Sequence, residues 1–142
     1  MKFVDMEIKF LKIGPNNLAR HHHGNIYVPV IVITFAEPAR QKRVPLSTLI
    51  TDKSAVKNVL AGGSFYSILL DDNYMIYDSE GHLWGSVSST HYGRCINITD
   101  DRLYLLKGRT MTTVSNKAEI VCTHHLSDKE LSDLKRPFAF VS

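Results

Sequence analysis

The chain has 142 residues, of which 44% are hydrophobic and 22% are charged, and its formal net charge is +3 at neutral pH. This balance of apolar and charged residues is that of a globular protein and excludes a disordered chain. The length is that of one domain with enough core to fold without disulfides. We therefore predict a single globular domain over residues 1–142.

No segment of the sequence has the pattern of a secretion signal or a membrane span. The N-terminal residues MKFVDMEIKFLKIG interleave charged and apolar residues and lack the apolar run of a signal peptide. The longest apolar stretch, Ile26 to Ala36, is too short to cross a bilayer. Cys95 and Cys122 are far apart and form no CxxC pair. These features predict a cytoplasmic protein with reduced thiols and no membrane partner.

The first part of the chain is dominated by strand patterns. Residues 2–13 alternate in polarity, which predicts a half-buried strand. Residues 26–35 are almost continuously apolar and rich in β-branched side chains, which is typical of a strand covered on both faces. Because proline cannot donate to a ladder, we expect a bulge or an unpaired side at Pro29. A third predicted strand includes Arg43 and Val44.

The only helix predicted in the first half of the chain covers residues 52–61. Val56, Val59 and Leu60 follow helical spacing, and Gly62-Gly63 would end the element. The segment from 64 to 125 is then predicted to be a meander, with a type I turn at Asp78–Gly81. Its predicted strands cover residues 65–70, 74–77, 82–87, 94–99, 102–107, 109–115 and 118–124.

A second helix is predicted near the C-terminus, beginning after Ser127. Ser127 and Glu130 form the S-x-x-E pattern of a capping box, and Leu126 and Leu131 occupy the positions of a hydrophobic staple. Pro137 is expected to stop this helix, and residues 138–141 to form a short strand or a buried tail. The predicted fold is α+β, mainly antiparallel sheet, curled or barrel-like, with two short helices of which the second is C-terminal.

Clustered histidines and cysteines raise the possibility of a metal centre. Cys122 and His124 would lie on one face of a strand, and Cys95 is a third ligand of the type that zinc prefers. One of His21–His23 would complete a tetrahedral set. The spacing lacks the paired ligands of common zinc sites, so we predict no cofactor and keep zinc as an alternative.

Two catalytic arrangements are also compatible with the residue types. In the first, His91 activates Cys95 as a nucleophile, with Arg94 beside the thiolate. In the second, histidines act as acid and base on RNA while a cation steadies the phosphorane-like charge. The residues considered for this ribonuclease are His82, His91, His124, Tyr104, Lys107 and Arg109.

Basic residues suggest a further alternative, the binding of nucleic acid. The candidate phosphate contacts are Arg40, Lys42, Arg43, Lys107 and Arg109. Aromatic side chains exposed on the sheet would add base stacking, and the candidates are Tyr74, Tyr77, Trp84, Tyr92 and Tyr104.

No complete catalytic motif or phosphate-binding glycine loop is present in the sequence, which argues against an enzyme. The leading hypothesis is a small intracellular β-rich binding or accessory domain that recognises a protein or a nucleic acid. The alternatives are a histidine-dependent ribonuclease or Cys/His hydrolase, a zinc-binding domain, and a viral or phage accessory protein that inhibits a host factor. An edge strand offers a possible route to a homodimer.

Overall fold

The computed structural model describes residues 3–14 and 25–134, which form eleven strands and two short α-helices. The strands are β1 (Phe3–Lys12), β2 (Tyr27–Ala36), β3 (Ala39–Pro45), β4 (Val56–Ala61), β5 (Phe65–Leu70), β6 (Asn73–Asp78), β7 (Leu83–Ser88), β8 (Arg94–Ile98), β9 (Arg102–Lys107), β10 (Thr110–Ser115) and β11 (Ile120–His125). The helices are α1 (Ser89–Tyr92) and α2 (Asp128–Leu134).

The strands form three separate antiparallel sheets, and in each sheet consecutive strands are neighbours. The N-terminal sheet contains β1 to β3, the central sheet β4 to β7, and the C-terminal sheet β8 to β11. The prediction of an α+β fold built mainly from antiparallel sheet is confirmed. The barrel alternative is wrong, because the three sheets do not close on one another.

The central sheet is buried on both faces. In β5, Phe65 and Leu69 belong to one buried cluster, whereas Tyr66 and Ile68 belong to another. Successive side chains of a strand point to opposite faces, so the alternation assigns one cluster to each face of the central sheet. The three sheets therefore stack as layers with the central sheet in the middle.

Each neighbouring sheet completes one of the two clusters. The N-terminal sheet contributes Ile31, Ile33 and Val44 to the cluster of Tyr66 and Ile68. The C-terminal sheet contributes three side chains to the cluster of Phe65 and Leu69. These three have no exposed surface and are Leu103, Leu105 and Val114.

The β2 strand is buried on both faces, as predicted, and it accommodates its proline without a bulge. Pro29 lies in continuous register opposite Phe10 of β1, and its carbonyl accepts the N–H of Leu46 at 2.9 Å. Pro29 has no N–H to donate on the side of β2 that faces β3. This is the point where the pairing of β2 with β3 ends. Of the two predicted alternatives, the bulge is wrong and the unpaired side is correct, because the proline lacks a donor on the side that faces β3.

The helix predicted over residues 52–61 is wrong. A single 3-10 turn at Lys53–Ala55 is capped by Asp52, whose carboxylate accepts the Ser54 N–H at 2.9 Å. The chain then continues as β4, which pairs with β5. Two of the three apolar residues behind the prediction are valines, which fit a pleated strand better than a helix, and a neighbouring strand is present to pair with them.

The first α-helix lies instead at Ser89–Tyr92, between two segments that were predicted as strands. Ser88 caps it by accepting the His91 N–H at 3.1 Å. The helix ends at Gly93, which has a φ of 95°, a backbone conformation that glycine adopts without strain. A side chain at this position would also collide with the Leu106 carbonyl. The helix is thus a one-turn connection between β7 and β8.

The C-terminal helix begins as predicted. Ser127 accepts the Glu130 N–H at 3.1 Å, and the Glu130 carboxylate accepts the Ser127 N–H at 3.0 Å. These two bonds are the reciprocal pair of a capping box. Pro137 and residues 138–141 lie outside the described residues.

Candidate binding groove

A groove of about 660 Å³ lies between the N-terminal sheet and the central sheet. Its floor is a row of register partners in three adjacent strands, Met6 of β1, Ile33 of β2 and Lys42 of β3. Phe35 lies next along β2 on the same face. The floor is therefore apolar, with one ammonium group at its β3 end.

The opposite wall comes from the edge of the central sheet. It contains Val59, Leu60 and Ala61 of β4, the turn Gly62-Gly63, and Tyr66 of β5. A side chain at Gly62 would collide with the Phe65 ring and the Thr99 carbonyl, so this position of the turn requires glycine. Ile98 of the C-terminal sheet also lines the groove, which is thus formed by residues from all three sheets.

The cations of β3 divide between the two faces of the strand. Arg40 and Lys42 share the groove face, and the Arg40 guanidinium lies 5.2 Å from the centre of the Phe35 ring, a cation–π contact. Arg43 points to the other face because side chains alternate along a strand. All three side chains are exposed. The groove therefore has a basic rim made by Arg40 and Lys42.

The remaining predicted phosphate contacts belong to a different sheet. Lys107 and Arg109 flank the β9–β10 turn, where Lys107 donates to the Thr90 carbonyl at 2.6 Å and Arg109 pairs with Asp128 at 2.8 Å. Sequence order alone does not reveal this separation from β3. The structure does not bring the five predicted cations into one patch.

Most of the aromatic side chains considered for base stacking are not exposed. Tyr74 and Tyr77 are fully buried, and their hydroxyls bond to the Cys95 N–H at 2.9 Å and to Thr48 at 2.7 Å. Tyr92 and Tyr104 are half-buried. Only Trp84 among the five is largely exposed, with the Lys117 ammonium 5.5 Å above its ring. The described sheets offer no row of aromatic rings for stacking.

The residues considered for zinc lie on opposite edges of the C-terminal sheet. Cys95 is in β8, whereas Cys122 and His124 are in β11, with β9 and β10 between them. His124 is 3.2 Å from a carboxylate oxygen of Glu130. Within residues 3–14 and 25–134, no three His, Cys, Asp or Glu side chains are grouped to hold a metal ion. His21–His23 lie outside the described residues.

The environment of Cys95 does not favour a nucleophile. Burial raises the pKa of the Cys95 thiol to about 11, and the thiol donates a hydrogen bond to the Asn97 carbonyl at 3.3 Å. The thiol therefore stays protonated at neutral pH, whereas a catalytic cysteine needs a thiolate. His91 is exposed on α1, with its ring 4.5 Å from that of Tyr92.

The histidines considered for a ribonuclease are dispersed over the molecule. His82 lies 3.4 Å from Asp78 in the β6–β7 turn, and His124 contacts Glu130. His91 and Lys107 do share a pocket of about 280 Å³, which is also lined by Tyr92, Thr110, Thr112 and Thr123. His125, which the sequence analysis did not single out as a catalytic candidate, bonds to Thr110 at 3.0 Å beside this pocket.

Comparison with known proteins gives no functional assignment. The chain matches no protein-family model, and no curated protein or solved structure is significantly similar to it. In the part of the chain described here, no helix is long and apolar enough to cross a membrane. The cytoplasmic location stays a prediction from the sequence.

The groove lining is the functional candidate that sequence reasoning missed. Its apolar residues come from five strands and a turn, and each is also typical of an ordinary core position. The available signal was the glycine pair beside the apolar strand at 56–61, but it was interpreted as a helix end.

Proposed function

We propose that this protein is a small binding domain that recognises an extended segment of a partner protein in the groove between the N-terminal and central sheets. The observation that carries the proposal is the apolar floor of Met6, Ile33 and Phe35 beside a basic rim. Concave apolar surfaces with a few well-placed polar groups are the usual form of binding sites.

The charge of the rim selects the chemistry of the partner. Lys42 is the only charged side chain that lines the groove among the described residues, and Arg40 extends the rim beyond it. A partner segment with apolar side chains and flanking carboxylates would bury its apolar groups on the floor and pair its acidic groups with the rim. Nucleic acid fits less well, because the predicted phosphate contacts are divided between two sheets and Tyr74 and Tyr77 are buried.

The test uses a fluorescein-labelled synthetic peptide with alternating glutamate and leucine or phenylalanine residues, titrated by fluorescence anisotropy. The matched control peptide replaces each glutamate by lysine, and a single-stranded RNA oligonucleotide is titrated in parallel. We expect saturable binding of the acidic peptide, and weaker binding of the basic peptide and the RNA. Tighter binding of the RNA, or no binding of the acidic peptide, would overturn the proposal.

Two substitutions on the same strand locate the contact. Lys42→Glu reverses a charge on the groove face, whereas Arg43→Glu makes the same change in net charge on the opposite face. We expect Lys42→Glu to weaken peptide binding about tenfold or more and Arg43→Glu to have at most a small effect. Equal losses would mean that net charge alone attracts the peptide and that the groove is not the site.

A third substitution tests the apolar part of the groove. Ala61 is half-buried in the β4 wall, so Ala61→Leu would fill groove space without altering charge. We expect this variant to remain folded and to bind the acidic peptide more weakly than the unaltered protein. A folded Ala61→Leu variant with undiminished affinity would contradict a contact with the groove.

A further inference from the structure

The strand β1 is an open sheet edge. It forms one side of the N-terminal sheet and pairs only with β2 among the described strands. Its register with β2 is uninterrupted from Asp5 to Lys12, and Leu11 is 57% exposed. An edge of this length presents a row of backbone donors and acceptors that another strand can use.

The other five edge strands carry features that hinder pairing with another strand. The β4, β7, β8 and β11 strands each contain an extra residue that makes a bulge, at Lys57, Trp84, Ile96 and Val121 respectively. The β3 strand is regular but carries Arg40, Lys42, Arg43 and Pro45. Bulges, prolines and clustered like charges are the usual protection of exposed edges. The β1 strand also has a bulge, at Val4, but its register with β2 is uninterrupted from Asp5 to Lys12, and its charges are of both signs.

The hydrogen-bonding pattern identifies which β1 residues are available to a partner strand. The Ile13 N–H donates to the Ile26 carbonyl at 2.8 Å, which makes this a hydrogen-bonded pair. Such pairs alternate along an antiparallel ladder, so odd-numbered residues of β1 bond to β2. Met6, Ile8 and Phe10 therefore direct their backbone N–H and C=O groups away from the sheet, toward the open edge.

The charges of β1 are complementary to those of a second, antiparallel copy. Acidic residues, Asp5 and Glu7, precede the basic residues Lys9 and Lys12. In a symmetric pairing centred on Ile8, Glu7 lies opposite Lys9 of the second copy, and Lys9 lies opposite its Glu7. Directly opposite unlike charges stabilise a strand pair, and like charges destabilise it.

Neighbouring registers lack this match. Centring the pair on Glu7 or on Lys9 places that residue opposite its own copy, and centring it on Met6 places Asp5 opposite Glu7. The Ile8 register is also compatible with the ladder, because Ile8 meets Ile8 and Met6 meets Phe10 with their free backbone groups facing one another. Hydrogen bonding allows several registers of β1, and the charges select the one centred on Ile8 among them.

We infer that two copies of this chain pair through β1 in an antiparallel register centred on Ile8, which joins the two N-terminal sheets into one six-stranded sheet. The pairing uses the backbone edge of β1, whereas the proposed peptide contacts side chains of the groove, and Met6 is the residue of β1 that belongs to both.

The test is a charge exchange followed by analytical ultracentrifugation at several protein concentrations. We expect the unaltered protein to form a dimer. Glu7→Lys and Lys9→Glu each place like charges opposite one another and should weaken dimerisation about tenfold or more. The double variant restores opposite charges in reversed order, so its dimerisation should recover toward that of the unaltered protein.

A cross-link checks the register. Residues of a hydrogen-bonded pair have Cα atoms about 5.5 Å apart, within the range of a disulfide. In a background that lacks the exposed Cys122, Ile8→Cys should form a covalent dimer on mild oxidation, whereas Leu11→Cys, which would face Asp5, should not. A monomeric protein, a dimer indifferent to both charge reversals, or equal cross-linking at the two positions would overturn the inference.

Discussion

The two cysteines show how differently the same side chain behaves at the two edges of one sheet. Cys95 is partly buried beneath the central sheet, with its thiol bonded to the Asn97 carbonyl, whereas Cys122 is exposed on β11. Thiol reactivity depends on the thiolate and on access. Cys122 therefore has the access that Cys95 lacks.

We predict that iodoacetamide at pH 8 alkylates Cys122 and leaves Cys95 unmodified, because burial raises the pKa of the Cys95 thiol to about 11. Mass spectrometry of peptides from the treated protein measures this, with Cys122→Ser as the control that should take up no label until denaturant is added. The raised pKa of Cys95 should also lower the free energy of unfolding as the pH rises from about 9 to about 11. In this range the thiol is protonated in the folded protein and loses its proton on unfolding. Rapid labelling of Cys95 in the folded protein would contradict this picture.

At the scale of elements, α2 depends on its first turn more than on its length. The helix has seven residues, which is too short to be stable alone, and none of them is fully buried. Its first turn is held by the Ser127–Glu130 bonds, by His124 against Glu130, and by Asp128 against Arg109. The cap and these contacts with the C-terminal sheet keep the helix in place.

Replacing Ser127 by alanine should therefore release α2. We expect a loss of about 1 kcal/mol, typical of a removed N-cap, and faster amide exchange confined to residues 128–134. Hydrogen exchange followed by NMR measures both the size and the location of the change. Ser54→Ala, which replaces a serine within the 3-10 turn, serves as the control and should leave exchange in α2 unchanged.

A low pH should also destabilise α2. The Ser127 backbone N–H, and next the contact with His124, lower the pKa of Glu130. A lowered pKa means that the carboxylate stabilises the cap above the ordinary pKa of glutamate and that this support disappears as the pH falls. The direction of the effect agrees with the capping-box geometry.

The elements also show which sequence signals were sufficient. The capping box and the alternation in β1 are local patterns, and both predicted their elements correctly. The segment at 56–61 failed because Val56, Val59 and Leu60 satisfy a helical spacing as well as a bulged strand. The bulge at Lys57 shifts the alternation by one residue, and only the neighbouring β5 decides between the two structures.

The candidate site was less predictable than the fold for a related reason. Arg40, Lys42 and Arg43 were identified as a basic cluster, but their division between two faces depends on the exact strand register. The apolar groove is lined by residues from all three sheets. No local pattern in the sequence encodes how separate sheets pack against one another.

At the scale of the whole molecule, burial of both faces of the central sheet governs stability. Ser67 and Ile68 are adjacent in β5, and neither has any exposed surface. Ile68 packs against the N-terminal sheet, while the Ser67 hydroxyl is buried without a hydrogen-bond partner. A buried hydroxyl without a partner is destabilising, whereas a packed isoleucine is stabilising.

Truncation of these two neighbours to alanine should change stability in opposite directions. We predict that Ser67→Ala stabilises the protein by about 1 kcal/mol, because it removes the unpaired hydroxyl. Ile68→Ala should destabilise it by about 2–5 kcal/mol through the cavity it leaves. Urea unfolding of both variants gives the two values, and destabilisation by Ser67→Ala would show that its hydroxyl has a partner in solution.

Each sheet consists of consecutive strands of the chain, which has a consequence for the order in which the sheets fold during synthesis. Each sheet is a single uninterrupted stretch of chain, so no strand has to wait for a partner from a distant part of the sequence. During synthesis the N-terminal sheet is complete first and offers an apolar face on which the central sheet can settle. The C-terminal sheet, last to leave the ribosome, then covers the second face of the central sheet, which until that moment is open to water and to other nascent chains.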